Sequence, residues 1–560
     1  MIDCGKICVF CAPLVGIFLI IGVGCKTPEK DKAPIPIREK PSLDPGPSSE
    51  GALDNGTKQA PTLEDKESSP DSHENNRYIS PVSRKYFGAL PYKPIETNLI
   101  VEPKKNANVL LIVLDALNAK HLGVYGYLRD TSPHLDKLAK RGLVLTNYVS
   151  NSSWTRPSYT TIITGLSKRE HGVELEGGWR LRPEITTIAE RFKRAGYRTA
   201  GVTGNVLVRK SWGFDQGYQV YEDSITLNLK AFPRDNILIN RAIEWLKGVR
   251  SKPFFLSLFL TSSHPPYRPP KGRRKFLSEL PEGTIIEHPF REYKKKLPRL
   301  DHERIVAAYD DEIRYMDEEL QRLIDYLSDS GRLENTVVVV TADHGEIFGE
   351  HNCYLHAYHM WEPVLRVPFI LLAPNLQLDG FYDERPFTHL DIVPTLLDLV
   401  GIERDDDDLA GMSIVTALQD ISLNHRRIMF SQHNAHGVRR QAIRDDRYKL
   451  VHHHKVEKRA LKKLDELHPS VLQPNPRDLP SLAWDKERYE LYDLFDDPEE
   501  LNNIFEEKKD SEEMSRLLNK LQLHIVKKNE VKELPEEMIQ ALINTGYLRS
   551  RRPVDKEKTQ

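Results

Sequence analysis

The stretch NVLLIVLDAL, residues 108–117, is a continuous apolar run that ends in an acid. Runs of this kind are typical of strands in a parallel sheet that is covered on both faces. Similar runs lie at 253–263, 336–342 and 367–374. Segments with helical periodicity separate them, at 184–196, 236–248 and 302–331. Alternation of buried strands and helices predicts an α/β fold around a mostly parallel sheet.

The segment 302–331 carries the clearest helical pattern. Its apolar residues recur in alternating steps of three and four, which places them on one helix face: Tyr309, Ile313, Met316, Leu320, Leu323 and Leu327. After about residue 425 the texture changes to shorter strands around polar turns, as in QAIRDDRYKLVHH at 441–453. We therefore predict a main domain at 78–425 and a smaller C-terminal α+β domain at 426–560.

The N-terminal region has a composition of its own. Residues 7–24 are apolar and uncharged, and Cys25 follows them where a lipidated cysteine would follow an export signal. We expect residues 1–25 to be a signal or anchor segment, with a lipoprotein and an uncleaved anchor as alternatives. Residues 26–77 are rich in Pro, Ser and charged residues, so we expect a disordered tether. Both alternatives predict an exported protein attached to a membrane.

The charge balance excludes one class of partner. Lys and Arg number 80 against 82 Asp and Glu, a formal net charge of −2. Because no basic surplus exists to hold a polyanion, we do not expect nucleic-acid binding. Nothing in the sequence specifies an oligomeric state.

Polar residues follow the predicted strands at the ends where parallel sheets place their sites. Asp115 ends the first run, Asp343 and His344 end the run at 336–342, and His264 follows the run at 253–263. Thr155 precedes Pro157 in SSWTRPSYTTIITG (152–165), at a predicted helix start that favours a bound anion.

Each of these residues has an ordinary structural explanation. Thr155 would be a helix cap. An acid at the end of a strand would form a turn, and His264 would be a turn residue. Together, however, two carboxylates, an imidazole and a hydroxyl predict a divalent-metal site.

Several ordered blocks resemble the sulfatase family of the alkaline phosphatase superfamily. The opening blocks are NVLLIVLDAL, HLGVYGYLRDTSPHLDKLAKRG and SSWTRPSYTTIITGL; the later ones are TADHGEIFGEH, WEPVLRVPFILLAP and HLDIVPTLLDLVGI. DDRYKLVHH, ELYDLFDDPEELNNI and LINTGYL resemble its smaller C-terminal domain. The resemblance covers roughly residues 105–548. It implies a sandwich around a mixed, mostly parallel sheet and a metal-dependent ester hydrolase.

The resemblance also implies roles for individual residues. Asp115, Asp343 and His344 fall at metal-ligand positions, and Thr155 falls at the nucleophile position, where it would also bind the metal. His264 and His356 resemble site histidines that bind substrate oxygens or protonate the leaving group. Asn205 falls near a position where many sulfatases have lysine.

Departures from the family pattern change the expected chemistry. Sulfatases oxidise a Cys or Ser at the nucleophile position to formylglycine. Because Thr155 has a secondary hydroxyl, oxidation cannot give that aldehyde, and we expect no formylglycine. Tyr159 replaces the usual arginine, and Ala116 replaces a second aspartate ligand. His344 replaces an asparagine that is common in calcium sites, so we expect a divalent ion with zinc or manganese favoured, and magnesium or calcium as alternatives.

We therefore predict a metal-dependent hydrolase of sulfate or phosphate esters with Thr155 as nucleophile. Its substrate would be a small-molecule, glycan or lipid ester. Threonine nucleophiles are known in the superfamily among phosphodiesterases and phospholipid-headgroup transferases. Two alternatives therefore stay open: a phosphoryl-headgroup transferase, and a catalytically inactive binding protein on a sulfatase fold.

Overall fold

The computed structural model describes residues 87, 93–174, 180–223, 234–283, 297–376, 378, 380–404, 409–423, 427–435, 438–456 and 486–523. The predicted anchor (1–25), the predicted tether (26–77) and the LINTGYL block (542–548) lie outside the described residues. Among the helices that the structure describes, none combines the length and the apolarity that a membrane crossing requires.

Seventeen strands are numbered in chain order. They are β1 Lys93–Pro94, β2 Asn108–Leu114, β3 Leu143–Leu145, β4 Tyr148–Val149, β5 Arg198–Thr203, β6 Val220–Glu222, β7 Phe254–Leu260, β8 Thr336–Ala342, β9 Ile347–Phe348, β10 Tyr354–Leu355, β11 Phe369–Leu372, β12 Phe381–Asp383, β13 Phe387–Thr388, β14 Met429–Ala435, β15 Val438–Arg444, β16 Tyr448–His453 and β17 Arg488–Asp493.

Eleven α-helices are described. They are α1 Pro133–Ala139, α2 Thr155–Thr164, α3 Lys168–His171, α4 Ile188–Arg194, α5 Asp235–Gly248, α6 Arg299–Asp329, α7 Glu362–Leu365, α8 Ile392–Val400, α9 Ile414–Gln419, α10 Phe505–Lys508 and α11 Glu512–Leu523. Short 3₁₀ turns at Ala119–His121, Gly123–Tyr125, Lys210–Trp212, Lys271–Arg273, Leu277–Glu279, Leu333–Asn335, Glu350–Asn352 and His389–Asp391 connect them.

A nine-stranded sheet organises the main part of the chain, in the order β1-β12-β3-β11-β8-β2-β7-β5-β6. Strand β11 pairs antiparallel with both of its neighbours, and the other pairs are parallel. Every residue of β2, β7 and β8 is buried, as the apolar runs predict. The predicted mixed, mostly parallel sheet is confirmed. The chain between β8 and β11 contains the short strands β9 and β10, a 3₁₀ turn and the single turn α7, but no crossover helix of the length that parallel neighbours need, and β11 is antiparallel to β8.

Helix α6 confirms the predicted helical face. All six apolar residues named above are buried in the main core. The helix packs against α5 and α1 and covers one side of the sheet.

The C-terminal part forms a four-stranded antiparallel sheet, β14-β15-β16-β17. Helix α11 covers one face of it and buries Met514, Leu517 and Leu521 against Leu450 and Leu491. Strand β14 also reaches the segment before α2: the Ser431 hydroxyl donates to the Ser150 carbonyl at 2.6 Å. The smaller α+β unit therefore buttresses the segment that leads into Thr155.

Candidate active site

Four neighbouring strands of the large sheet, β8, β2, β7 and β5, end at one edge. Asp115 directly follows β2, and Asp343 and His344 directly follow β8. His264 comes four residues after β7, and Asn205 two residues after β5. The carboxyl ends of parallel strands thus bring together residues that lie up to 229 positions apart in the chain.

Asp115 is fully buried and is only half satisfied by the protein. Its Oδ2 accepts a hydrogen bond from Asn205 Nδ2 at 2.6 Å. Its Oδ1 has no hydrogen-bond partner. Burial, reinforced by the charge of Asp343, raises the pKa of Asp115 well above its ordinary value.

Asp343 shows the same division between its two oxygens. Oδ1 accepts the backbone N–H groups of Ala116 at 3.2 Å and His344 at 2.9 Å. Oδ2 is buried without a hydrogen-bond partner. Burial raises the pKa of Asp343, while the neighbouring His344 acts in the opposite direction.

Ala116, which stands where the family has a second aspartate, adopts a left-handed backbone with φ of 55°. For a residue other than glycine this conformation costs about 1–2 kcal/mol. Tyr309 holds it in place, because its hydroxyl donates to the Ala116 carbonyl at 2.9 Å and accepts the Asn118 N–H at 2.9 Å. The strained turn aims the Ala116 N–H at Asp343, so a backbone N–H lies beside that carboxylate where the resemblance implies a second aspartate.

His344 directs one nitrogen at both carboxylates. Its Nδ1 lies 3.0 Å from the Gly345 carbonyl, which only accepts, so Nδ1 carries the proton. Nε2 is then a lone-pair donor, at 3.4 Å from Asp343 Oδ2 and 3.9 Å from Asp115 Oδ1. Burial lowers the pKa of His344 to about 4, which keeps the imidazole neutral at neutral pH.

Thr155 is the first residue of α2 and not its cap. Trp154, in an extended conformation, occupies the cap position. Thr155 Oγ1 lies 3.3 Å from His344 Nε2, and every residue of the helix is buried. The capping role considered above is therefore wrong, and the hydroxyl faces the cluster instead.

The donor set fits a divalent cation. Asp115, Asp343 and His344 each offer a ligand atom, and these atoms lie within 4.8 Å of one another. Two of the oxygens are buried without a partner, which is costly unless a cation compensates. Tetrahedral ligands at 2.0–2.2 Å from a metal lie about 3.3–3.6 Å apart. Nε2 of His344 is 3.4 Å from Asp343 Oδ2 and 3.3 Å from Thr155 Oγ1, so these distances suit such a shell.

The two further predicted histidines lie beside this cluster. The ring of His356 is 4.3 Å from that of His344 and 5.0 Å from that of His264, measured between centroids. His264 Nδ1 lies 2.6 Å from the Pro265 carbonyl and so carries its proton there. All six predicted site residues therefore converge at one edge of the sheet.

Glu346 is a member of the site that the sequence reasoning missed. Its carboxylate lies 3.2 Å from His356 Nδ1 and accepts the Tyr267 hydroxyl at 2.9 Å. Burial raises the pKa of Glu346 well above its ordinary value. Its place two residues after His344 in TADHGE was the available signal. The contact with Tyr267, which follows a different strand, was not readable.

Two residues near Thr155 on α2, Arg156 and Tyr159, turn into the core, and Tyr159 is the one that replaces the usual arginine. The Tyr159 hydroxyl lies 3.2 Å from the Ser257 hydroxyl, and its ring stacks on Phe259 with centroids 4.8 Å apart. Arg156 is fully buried, donates to the Leu207 carbonyl and lies over the Trp212 ring. Tyr159 thus fills the interface between α2 and β7.

Comparison with known families agrees with this architecture. The family model Sulfatase matches residues 107–402. The model N-sulphoglucosamine sulphohydrolase, C-terminal, matches residues 349–473. The chain belongs to the sulfatase family, within the alkaline phosphatase superfamily, and is a sulfuric or phosphoric ester hydrolase of that family.

Two bacterial relatives show how low the sequence identity is within the family. An arylsulfatase of Clostridium perfringens is 26% identical over 396 residues, which cover 58% of this chain and 81% of the relative. An N-acetylglucosamine-6-O-sulfatase of Bacteroides thetaiotaomicron is 23% identical over 520 residues, which cover 75% of this chain and 87% of the relative.

Solved structures share the fold. The structure of BT4656 in complex with its substrate D-glucosamine-2-N,6-O-disulfate superposes with a TM-score of 0.60 at 19% identity, over 75% of this chain and 97% of that one. A phosphonate monoester hydrolase of Agrobacterium radiobacter superposes with a TM-score of 0.57 at 19% identity. The superposition covers 77% of this chain and 100% of that one. One architecture thus serves both sulfur and phosphorus esters.

Proposed function

We propose that this chain is an exported, metal-dependent ester hydrolase in which Thr155 is the nucleophile and formylglycine plays no part. The observation that carries the proposal is the position of Thr155 Oγ1, 3.3 Å from His344 Nε2 and beside two carboxylates that each keep an unpartnered oxygen. A hydroxyl at a helix start among potential metal ligands is the arrangement that covalent ester chemistry requires.

Asp115, Asp343, His344 and Thr155 would hold the ion, for which we favour zinc or manganese because an imidazole is among the ligands. When bound, a divalent cation lowers the pKa of a coordinated hydroxyl and neutralises charge on the ester oxygens. The protein contributes the rest. Asn205 and the Ala116 N–H each hold one carboxylate oxygen, so the opposite oxygens stay directed inward.

The Thr155 hydroxyl, its pKa lowered by the bound cation, would release its proton to solvent and attack the sulfur or phosphorus of the ester in line with the departing oxygen. The bond to that oxygen would break, the departing oxygen would take a proton from His264 or His356, and the group would become an ester on Oγ1. The first N–H groups of α2 offer positive potential to the charge that develops there. Water would then attack the Thr155 ester, and the threonine hydroxyl would be restored. A formylglycine enzyme instead releases sulfate through a hemiacetal, a route that a secondary alcohol lacks.

His264 and His356 would hold the proton for the leaving oxygen. Glu346 lies 3.2 Å from His356 Nδ1, so we assign the proton exchange with the leaving oxygen to the other ring nitrogen, Nε2. Burial lowers the pKa of His356 to about 3. An anionic ester beside the His356 ring favours the protonated imidazole. Substrate binding would therefore itself raise the pKa of His356 and protonate it.

The proposal also has to choose between sulfate and phosphate esters as the substrate. The relatives include a glycan sulfatase and an arylsulfatase, which supports a sulfate ester. The threonine nucleophile supports a phosphate ester or diester instead, because covalent phosphoryl transfer needs no hemiacetal. A panel of aryl sulfate, aryl phosphate and aryl phosphodiester substrates, assayed with zinc, manganese, magnesium and calcium, tests this. Turnover of none of them by metal-loaded protein would contradict the proposed hydrolase.

A second candidate is a transferase that moves a phosphoryl-linked headgroup onto an acceptor hydroxyl. The same threonine favours it, since a Thr155 ester can be released by an alcohol as well as by water. Product analysis with and without an added acceptor alcohol separates the two: a transferase yields the alkyl ester in preference to the free anion. The inactive binding protein, favoured by Ala116, would bind no divalent ion at this cluster when zinc or manganese is supplied.

We also propose export and membrane attachment through residues 1–25, on the strength of the uncharged apolar run 7–24 and Cys25. A Cys25→Ser variant separates the two forms of attachment. Loss of labelled fatty acid and release from membranes would indicate a lipoprotein. Unchanged membrane retention without lipid would indicate an uncleaved anchor.

A further inference from the structure

A second cluster of metal-ligating side chains lies in the C-terminal sheet. His452 is near the end of β16, His454 follows that strand, and Glu487 precedes β17. The antiparallel register pairs His452 with Tyr489 and His453 with Arg488. Extended by one residue, it places His454 opposite Glu487. Since side chains alternate along a strand, His452 and His454 share one face and His453 takes the other.

The three side chains are already in contact. His452 Nε2 lies 2.6 Å from Glu487 Oε1, and the His452 and His454 rings lie 3.9 Å apart between centroids. One ligand atom from each residue lies within 4.8 Å of the other two. Within the described part of the chain, this group and the Asp115 cluster are the two such arrangements of three.

The surroundings hold the cluster in place. The Tyr489 ring stacks on His452 with centroids 4.3 Å apart, and Gln441 Oε1 on the adjacent strand lies 2.8 Å from His454 Nε2. His452 is only 3% exposed, so packing on the strand and against the Tyr489 ring fixes its position beside Glu487.

We propose that His452, His454 and Glu487 form a second divalent transition-metal site, separate from the catalytic cluster. Two imidazoles and one carboxylate are a ligand set that zinc accepts and that calcium and magnesium disfavour. The three residues leave a fourth position for water. Glu487 is the exposed member, with 57% of its side chain accessible, so an ion can enter from solvent without opening the sheet.

The site would join β16 to β17. In the sequence, 32 residues separate His454 from Glu487. A metal that links the two ends removes closure entropy from the unfolded state, so it would stabilise the C-terminal sheet. The proposed role is structural, and it does not depend on the function assigned to Thr155.

The test uses the full-length chain, stripped with a chelator and then titrated with Zn²⁺ against a chromophoric competitor. Bound zinc is counted by elemental analysis. Four variants are compared with the wild type: His454→Ala, Glu487→Gln, Asp343→Asn in the catalytic cluster, and His134→Ala as a control histidine that belongs to neither group. Because Glu487 is exposed, Glu487→Gln keeps the test valid if His454→Ala fails to fold.

We expect the wild type and His134→Ala to bind two zinc ions. His454→Ala and Glu487→Gln should lose one, with affinity at that site reduced by more than the roughly 10–100-fold that follows loss of a group orienting a ligand. Their unfolding temperature should no longer respond to the second equivalent of zinc. Asp343→Asn should retain this second site.

Two results would overturn the proposal. One is unchanged zinc stoichiometry and affinity in both His454→Ala and Glu487→Gln. The other is a wild-type chain whose only tightly bound ion disappears in Asp343→Asn. Conversely, a single ion that survives Asp343→Asn and is lost in Glu487→Gln would support this site and contradict the catalytic one, so the two proposals fail separately.

Discussion

Two buried groups of charged side chains in this molecule differ in how their carboxylates are compensated. At the edge of the large sheet, Asp115 and Asp343 each keep one oxygen without a partner, and burial raises the pKa of both. Between the large sheet and the C-terminal sheet, Glu362 is surrounded by three cations. It accepts Arg366 Nε at 2.8 Å, Arg444 Nη1 at 2.5 Å and Lys449 Nζ at 3.1 Å.

The difference shows in the direction of the pKa shifts. Burial alone would raise the pKa of Glu362, but the charges of Arg444, Lys449 and Arg366 bring it well below its ordinary value. The charge of Glu362 is therefore compensated by cations of the protein, and we call these residues the complete group. Asp115 and Asp343 have only His344 beside them among the described ion pairs, so the buried carboxylates suit a cation, and we call them the incomplete group.

The largest expected effect is on the incomplete group. Thr155→Ala removes the proposed nucleophile, so kcat/KM should fall by at least about 10⁴-fold, as in other enzymes that lose their nucleophile. The fold should survive, because the change removes one small polar group. Thr155→Ser, which keeps a hydroxyl, is the matched control and should retain much of the rate. Full turnover by the alanine variant in a steady-state assay would end the nucleophile assignment.

The next effect should fall on the complete group. Glu362→Ala leaves three buried cations without their shared carboxylate, which should lower the free energy of unfolding by about 3–5 kcal/mol. Urea denaturation measures this. Glu506→Ala, which breaks an exposed ion pair with Lys509, is the control and should change it by less than about 1 kcal/mol. Equal effects of the two substitutions would remove the contrast drawn above.

Glu346→Gln sharpens the description of the incomplete group. The amide keeps contacts with Tyr267 and His356 but cannot become negatively charged when His356 takes up a proton, so kcat should fall by about 10–100-fold while KM changes little. The acidic limb of the pH–rate profile should move with it. Tyr267→Phe, which removes only the hydrogen bond to Glu346, should have a smaller effect. A variant with normal kcat and a normal pH profile would show that Glu346 is purely structural.

Asp115→Asn should act on stability with the opposite sign to Glu362→Ala. In metal-free protein it relieves repulsion between two buried carboxylates, so the free energy of unfolding should rise, by on the order of 1 kcal/mol. The unfolding temperature of the Asp115→Asn variant should also no longer rise when zinc or manganese is added. Thermal unfolding with and without chelator tests both parts. A destabilised metal-free variant would show that the site is already satisfied.

The smallest effect is the dependence of stability on pH. Folding raises the pKa of Asp115 above its ordinary 3.8, so its contribution is fully present below that value and is lost as pH rises through the folded pKa. Folding lowers the pKa of Glu362 below 4.5, so its contribution is present above that value and is lost as pH falls through the folded pKa. Raising the pH of metal-free wild type above 4 should therefore erode its stability relative to Asp115→Asn. Parallel curves for the two proteins would contradict this.

The sequence by itself determined the alternation of buried strands and helices, and with it the sheet. Uninterrupted apolar runs such as 108–114 admit few other structures, because a strand buried on both faces must be apolar throughout. It also determined the candidate ligands, since Asp115, Asp343, His344 and His264 stand directly after such runs and parallel strands bring their ends together. Short-range pattern and chain topology were sufficient for both.

Only the tertiary structure decided how those residues are used. It made β11 antiparallel, placed Thr155 inside its helix and not at the cap, and brought Glu346 to His356 through Tyr267. It also determines that Asn205 donates to Oδ2 of Asp115, so that Oδ1 is the oxygen directed at the proposed cation. Such choices depend on distances between side chains far apart in the chain, which no local pattern of residues specifies.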